Sequence, residues 1–373
     1  MAVLYQPPLP PQYADMSLEN MSRRIRAHKE AFGDRLVILG HHYQQDDVIQ
    51  FADFTGDSLK LSQLAAEQEN AEYVVFCGVH FMAESADILA DDRVTVILPD
   101  LTAGCSMADM AELVDVEEAW RQLSAATEAT IVPITYVNSS ADIKAFVGRH
   151  GGACCTSSNA RRVLEWALAQ GDKILFLPDQ HLGRNTAYAM GHPLSSMVLY
   201  DPQAVDGGLT TRLIRDAKFL LWKGYCSVHL MFTPEQCDAV RAADPQCRII
   251  VHPECDWPVV QKADLAGSTE YIVKTITEAP DGTSWAVGTE INLVNRLTKR
   301  FAGRKSVRSL SGVQCLCSTM YRIDPKHLTW CLDELAAGRV VNRISVDKDT
   351  RRDARIALRR MLDNVHAQPV GAK

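Results

Sequence analysis

Eleven cysteines stand in this chain of 373 residues, at positions 77, 105, 154, 155, 226, 237, 247, 255, 315, 317 and 331. Thiolates act as nucleophiles, disulfide partners or soft metal ligands, so their spacing is informative. No C-x-x-C occurs, which argues against a zinc ribbon and against a thioredoxin-like motif. The stretch SGVQCLCSTMYRI places Cys315 and Cys317 one residue apart. A disulfide closing so tight a loop would be strained. A chain of this length without an export signal is expected to keep its thiols reduced.

Those thiols need elements to hold them. Short β-branched runs recur, each followed by a polar turn and a helical pattern: RLVILGHHY, EYVVFCGVHF, VTVILPD, TIVPITYVNSS, KILFLPDQH, KFLLWKGYC, RIIVHPEC and SWAVGTE. Strands alternating with helices predict parallel sheets built from βαβ units. Continuous apolar runs fit strands buried on both faces. The runs fall into three similar sets of four. The second member of each set has a hydroxyl residue where a helix should start: Ser58, Ser157 and Ser268–Thr269. The fourth ends on a cysteine: Cys105, Cys226, and either Cys315 or Cys317. This reads as one α/β module used three times. Ligands of open α/β sheets sit beyond the carboxyl ends of the strands, where each polar signature falls. Three modules facing one centre would gather three thiols, three hydroxyl turns and several histidines.

Three thiolates without a fourth favour an iron–sulfur cluster with one incompletely ligated iron, and such an iron can serve as a Lewis acid. Two alternatives stay open. The thiols can be unrelated core cysteines, which behave as small hydrophobes. Or Cys226 and His229 of GYCSVH can hold zinc with another thiolate pair, although structural zinc sites usually draw on close sequence pairs. Cys255 comes early in its module, and Cys154–Cys155 precede a turn, so both are expected to pack in the core. A hydroxyl at a helix start is a plain N-cap or an anion seat, and the two uses are compatible.

Hydrophobic residues make up 47% of the chain and charged ones 23%, the balance of a globular protein. Net charge is −7 with a pI of about 5.9, which argues against a general nucleic-acid binder. No apolar run is long enough to span a bilayer. The start, MAVLYQPPLPPQYADM, is read as a frayed arm rather than a signal peptide. The segment Gly191–Thr211 reads as a loop. Near the end, Ala354, Ala357, Leu358, Met361, Leu362 and Val365 form one helical face.

From about Leu36 to about Leu362 the chain resembles the quinolinate synthase family. The resemblance rests on GHHYQ, ADFTGDSL, FCGVHFMAESA, LTAGCSMA, YVNSSADIKA, CTSSNA, LPDQHLG, WKGYCSVH, HPEC, GST and CSTMYRI, in that order. It implies three similar α/β domains with pseudo-threefold symmetry around a central active site. The expected divisions are 1–34 (arm and helix), 35–112, 113–232, 233–330 and 331–373 (C-terminal helical segment). It implies condensation of iminoaspartate with dihydroxyacetone phosphate to quinolinate, with release of phosphate and water, in cytoplasmic de novo NAD biosynthesis. It implies a 4Fe-4S cluster on Cys105, Cys226 and Cys317. Cys317 is chosen over Cys315 because the family pattern places a methionine and an isoleucine after the ligand as Met320 and Ile323 stand here.

The resemblance also implies roles for other residues. Glu254, Tyr43, His41 and His252 are the expected catalytic groups, with Glu254 as general acid or base. His41, Ser58, Tyr136, Asn138, Ser157, His252, Glu254, Ser268 and Thr269 are expected to bind the anionic substrates. His42 is expected to be structural. Expected partners are the iron–sulfur assembly machinery and, as a hypothesis, docked L-aspartate oxidase, but neither nucleic acid nor membrane. An iron–sulfur sensor, an aconitase-like hydro-lyase and a zinc hydrolase are the rival readings.

Overall fold

The predicted strands form, and they form the same sheet three times. A computed structural model describes residues 5–67 and 70–366. Its strands are Leu36–His41 (β1), Phe54–Gly56 (β2), Tyr73–Cys77 (β3), Thr95–Ile97 (β4), Ile131–Tyr136 (β5), Ala153–Cys155 (β6), Lys173–Leu177 (β7), Met197–Tyr200 (β8), Phe219–Trp222 (β9), Arg248–Val251 (β10), Leu265–Ala266 (β11), Ser284–Gly288 (β12), Ser306–Ser309 (β13) and Arg343–Ile344 (β14). The sheet orders are β14-β4-β3-β1-β2, β6-β5-β7-β9-β8 and β11-β10-β12-β13. Numbered within each module, the four shared strands run 2-1-3-4 every time. All pair in parallel, and only β14 is antiparallel, against β4.

This order has a physical consequence. The chain winds one way from the first strand to the second and the other way to the third. The crevice beyond the first and third strands is therefore the topological switch point of each sheet. β1 ends on His41, β5 on Tyr136, and β10 runs directly into His252. These first strands are buried almost throughout: Ile38, Ile134 and Ile250 are all 0% exposed. Burial on both faces explains the unbroken apolar runs.

The chain divides into two compact units. One runs through residue 105 and takes in 290–296 and 316–346. The other comprises 106–289, 297–315 and the chain from 347 onward. The first sheet belongs to the first unit, and the second and third sheets belong to the second. No helix among the described residues is long and apolar enough to cross a membrane.

Three local expectations need correcting. The arm expected to fray is tied down where it is described, although residues 1–4 lie outside the described residues. Gln6 accepts a hydrogen bond from the Leu101 amide (2.7 Å), and buried Tyr13 donates to Asp333 (2.8 Å). The segment 191–211 is not all loop, because Met197–Tyr200 adds an edge strand beside β9. The last residue of this strand, Tyr200, is buried and stacks on Trp222 with centroids 5.5 Å apart. Four residues among Pro, Ser and Gly gave too short a signal to read as a strand.

The third correction concerns the hydroxyl turns. Ser58 is the first residue of the helix Ser58–Ala66, which is capped by Asp57 accepting from the Lys60 amide. Ser157 lies ahead of the helix Ala160–Gln170 and does not cap it. Only Ser268 is an N-cap, accepting from the Tyr271 amide at the start of Thr269–Glu278. An aspartate or asparagine is as good a cap as serine, and here it takes the position.

The last helix, Lys348–His366, lies against Ala141–Arg149. Its predicted face is buried at Ala354, Ala357, Leu358 and Met361, each 0% exposed. The Val365 side chain lies outside the described residues. A Cβ on Gly148 would meet the Asp353 carbonyl oxygen at 2.1 Å, so the two helices approach where one lacks a side chain.

Candidate active site

The sequence-predicted residues fall into two sets. His41, Tyr43, Ser58, Cys105 and Cys317 belong to the first unit. Tyr136, Asn138, Ser157, Cys226, His252, Glu254, Ser268 and Thr269 belong to the second.

In the second unit Glu254 organises the site. It follows β10 and is 3% exposed. Tyr136, at the end of β5, donates its hydroxyl hydrogen to Glu254 Oε1 across 2.6 Å. His229 Nδ1 lies 2.9 Å from Oε2. The other nitrogen of His229 is 3.2 Å from Thr289 Oγ1, just past β12. The His229 and His252 rings stack with centroids 4.5 Å apart. His252 Nε2 lies 3.2 Å from Ser157 Oγ. The second and third sheets thus meet at their carboxyl ends, and Ser157, which caps nothing, faces a histidine.

Burial of Glu254 by itself would raise its carboxyl. The His229 and His252 rings and the hydrogen bonds from His229 and Tyr136 outweigh that and hold it well below the usual carboxylate range. Burial pushes His252 down to about 3, opposed by the Glu254 carboxylate beside it. Glu254 is therefore ionised near pH 7, and its two oxygens face Tyr136 and His229.

Cys226 completes this group. Ligand atoms of Cys226, His229 and Glu254 all lie within 4.8 Å of one another. The approach to Cys226 is tight, since a Cβ on Gly224 would meet the Pro178 carbonyl oxygen at 2.3 Å. Two residues past Tyr136, the amide oxygen of Asn138 is buried with no hydrogen-bond partner among the described residues. A buried acceptor that no protein group satisfies is what a polar ligand would complete.

In the first unit His41 ends β1 and is 4% exposed. Its Nδ1 accepts from the Tyr43 amide at 3.1 Å, and the two rings meet edge to face at 4.8 Å. The turn is held from behind. Asn292 donates to the Tyr43 carbonyl (3.2 Å), and Arg296 donates to the carbonyls of Gln44 (2.9 Å) and His42 and to Asp46 (3.0 Å). Gln44 and Gln45 in turn donate to the Met320 and Ile323 carbonyls, at 3.2 and 2.9 Å. Met320 and Ile323 are buried. The methionine and isoleucine after Cys317 are thus anchors for the segment that carries it.

Glu290 was not singled out in the sequence. It is 0% exposed, and burial raises its carboxyl to about 8 although it accepts backbone N–H groups from Asn292, Leu293 and Cys317. Burial also raises the Cys317 thiol above its ordinary value, opposed by its hydrogen bond with Thr319.

Exposure sorts the eleven thiols. Cys105, Cys226 and Cys317 are half-buried, and the other eight are buried. Cys315 is 0% exposed with its sulfur 3.7 Å from the Val313 carbonyl oxygen. Cys154, Cys155 and Cys255 are buried too, with thiols pushed up by burial, as expected of core cysteines.

The fold and site define a parallel-sheet α/β protein with a buried carboxylate, imidazoles and a phenol at its strand ends. The chain belongs to the quinolinate synthetase A protein family, whose model, NadA, matches residues 23–363. It is 57% identical over 355 residues to a quinolinate synthase of Acidobacterium capsulatum, covering 94% of this chain and 95% of the relative. It is 56% identical over 356 residues to that of Geobacillus kaustophilus, covering 95% and 96%. With the Corynebacterium glutamicum quinolinate synthase it shares 54% identity over 363 residues, 97% of this chain and 92% of the relative.

Proposed function

We propose that the chain is a quinolinate synthase. It condenses iminoaspartate with dihydroxyacetone phosphate to quinolinate, releasing phosphate and water, in cytoplasmic NAD biosynthesis. The observation that carries this reading is the buried Tyr136–Glu254–His229 hydrogen-bonded group beside Cys226. The reaction needs protons moved during condensation and dehydration, and this group offers a carboxylate acceptor linked to a phenol and an imidazole. Asn138, with its unsatisfied amide oxygen, and Ser157, beside His252, suit substrate binding. His41 and Tyr43 are assigned to substrate binding and proton transfer, and Ser58, Ser268 and Thr269 to substrate anions.

Cys105, Cys226 and Cys317 are the assigned ligands of a 4Fe-4S cluster. What supports the assignment is that these three thiols are the half-buried ones, while Cys315 points its sulfur at a backbone carbonyl. Such a cluster, when bound, supplies a Lewis-acidic iron. The chain's own groups supply the rest: Glu254 accepts a proton, Tyr136 and His229 hold its oxygens in place, and Asn138 orients a carboxylate. Cluster insertion would fall to the iron–sulfur assembly machinery, and L-aspartate oxidase would supply the imine, by docking or by diffusion.

The test is iron and acid-labile sulfide per chain on protein purified without oxygen, followed by the quinolinate assay. About four of each, with consumption of dihydroxyacetone phosphate, is expected. Zinc without sulfide would overturn the reading and assign Cys226, His229 and Glu254 to that ion.

A further inference from the structure

The motif LPDQHLG, prominent in the sequence, has no part in the chemistry above. It opens the helix Gln180–Ala189, which follows β7 and is capped by Asp179 accepting from the Leu182 amide at 2.6 Å. Asp179 is 0% exposed and forms a parallel bridge with Gly224, and the Gln180 amide donates to the Gly224 carbonyl at 3.0 Å. The start of this helix is thus stitched to the segment leading to Cys226.

One turn further along, the helix reaches the loop after β10. Asn185 is 5% exposed. Its amide nitrogen donates to the carbonyl oxygens of Pro253 and Cys255, both at 2.8 Å. These are the carbonyls of the residues on either side of Glu254. His181, four residues earlier on the same helical face, has Nδ1 3.3 Å from Asp256 Oδ1. One helix face therefore grips residues 253, 255 and 256, while the Glu254 carboxylate bonds with Tyr136 and His229. Both hydrogens of the primary amide are committed, which no hydroxyl and no carboxylate can reproduce.

We infer that Asn185 is a positioning residue for Glu254: by fixing the carbonyls of both neighbouring residues, Pro253 and Cys255, Asn185 holds the carboxylate on Tyr136 and His229. This rests on the acid–base reading of Glu254. A displaced carboxylate loses rate steeply, because proton transfer needs hydrogen-bond reach. Asn185 itself touches backbone, so its loss acts through Glu254.

The experiment is a double-mutant cycle read as kcat, KM for each substrate, iron and sulfide content, and Tm. The variants are Asn185→Ala, Glu254→Gln and the two combined. Asn185→Ala is expected to lower kcat about 10- to 100-fold with KM, iron and sulfide unchanged. On the Glu254→Gln background it is expected to cost no further kcat, since residues acting as one unit are not additive. Asn185→Ser, which keeps one donor, should fall between parent and Asn185→Ala, and it carries the same cycle should the alanine variant fail to fold. A kcat within twofold of the parent, or an equal loss on both backgrounds, would overturn the inference. If Glu254→Gln keeps full turnover, the acid–base reading falls and takes the inference with it. If Glu254→Gln is impaired while Asn185→Ala is silent, the inference alone falls.

Discussion

Tyr136 and Glu254 are 118 residues apart in sequence and 2.6 Å apart in space, and the bond between them joins the second sheet to the third. Both groups are buried, and the acceptor is ionised. A charge-assisted bond of this kind is about twice as strong as a neutral one. Glu254→Gln is expected to retain iron and sulfide and to lose about 100-fold or more in turnover. Tyr136→Phe removes the donor while keeping the ring, and should lose about 10-fold or more. Full turnover in Glu254→Gln would exclude it as the proton acceptor.

The thiols make a sharper contrast. Cys105→Ser, Cys226→Ser and Cys317→Ser should each lose the cluster and the activity, as judged by iron, sulfide and quinolinate formation. Cys315→Ser should keep all three, because that sulfur is buried against a backbone carbonyl. An essential Cys315 beside a dispensable Cys317 would reverse the assignment.

Packing sets a third expectation. The Cβ of Gly148→Ala would collide with the Asp353 carbonyl oxygen. Overpacking of this kind costs about 1–3 kcal/mol. The variant should show a lowered urea midpoint. An unchanged midpoint would mean that the last helix shifts away without loss.

Acid sensitivity follows from two imidazoles. Burial pushes His181 down to about 4 and His252 to about 3, from the ordinary histidine value of about 6.5. Between those limits the unfolded chain binds more protons than the folded one. Their contribution is therefore intact above about pH 6.5 and is lost as the pH falls, at no more than about 1.4 kcal/mol per pH unit for each histidine. Urea unfolding of the parent and of His181→Gln at pH 7.5 and pH 5 isolates one of them. The parent should lose more stability on acidification than the variant, and equal losses would contradict the sign.

Much of this was legible in the sequence, and the reasons are local. Unbroken apolar runs announced strands buried on both faces, and their grouping by four announced one module used three times, but the 2-1-3-4 strand order came only with the structure. His41, Tyr136 and His252, which end or follow the first strands, were reached through the motifs shared with the family, GHHYQ, YVNS and HPEC. What the sequence hid is non-local. His229 was visible only as a neighbour of Cys226, because its contact with Glu254 depends on how two sheets meet. Glu290 and Asn185 bind backbone groups, which carry no residue code. Ser58 and Ser157 were not recognisable as lying off the cap position, because Asp57 and Asn159 hold that position and only backbone geometry decides it.

The division of the chain into two units bears on how it is made. Each unit is assembled from separated stretches: the first waits for residues up to 346, and the second for the helix Lys348–His366. On the ribosome, neither unit is whole until nearly the entire chain has emerged. Its early strands must stay unaggregated through synthesis, and unfinished apolar surface of this kind is what chaperones shield. For the same reason, no single cut in the chain releases either unit intact, so truncated fragments are poor substitutes for the full-length protein in any assay of these residues.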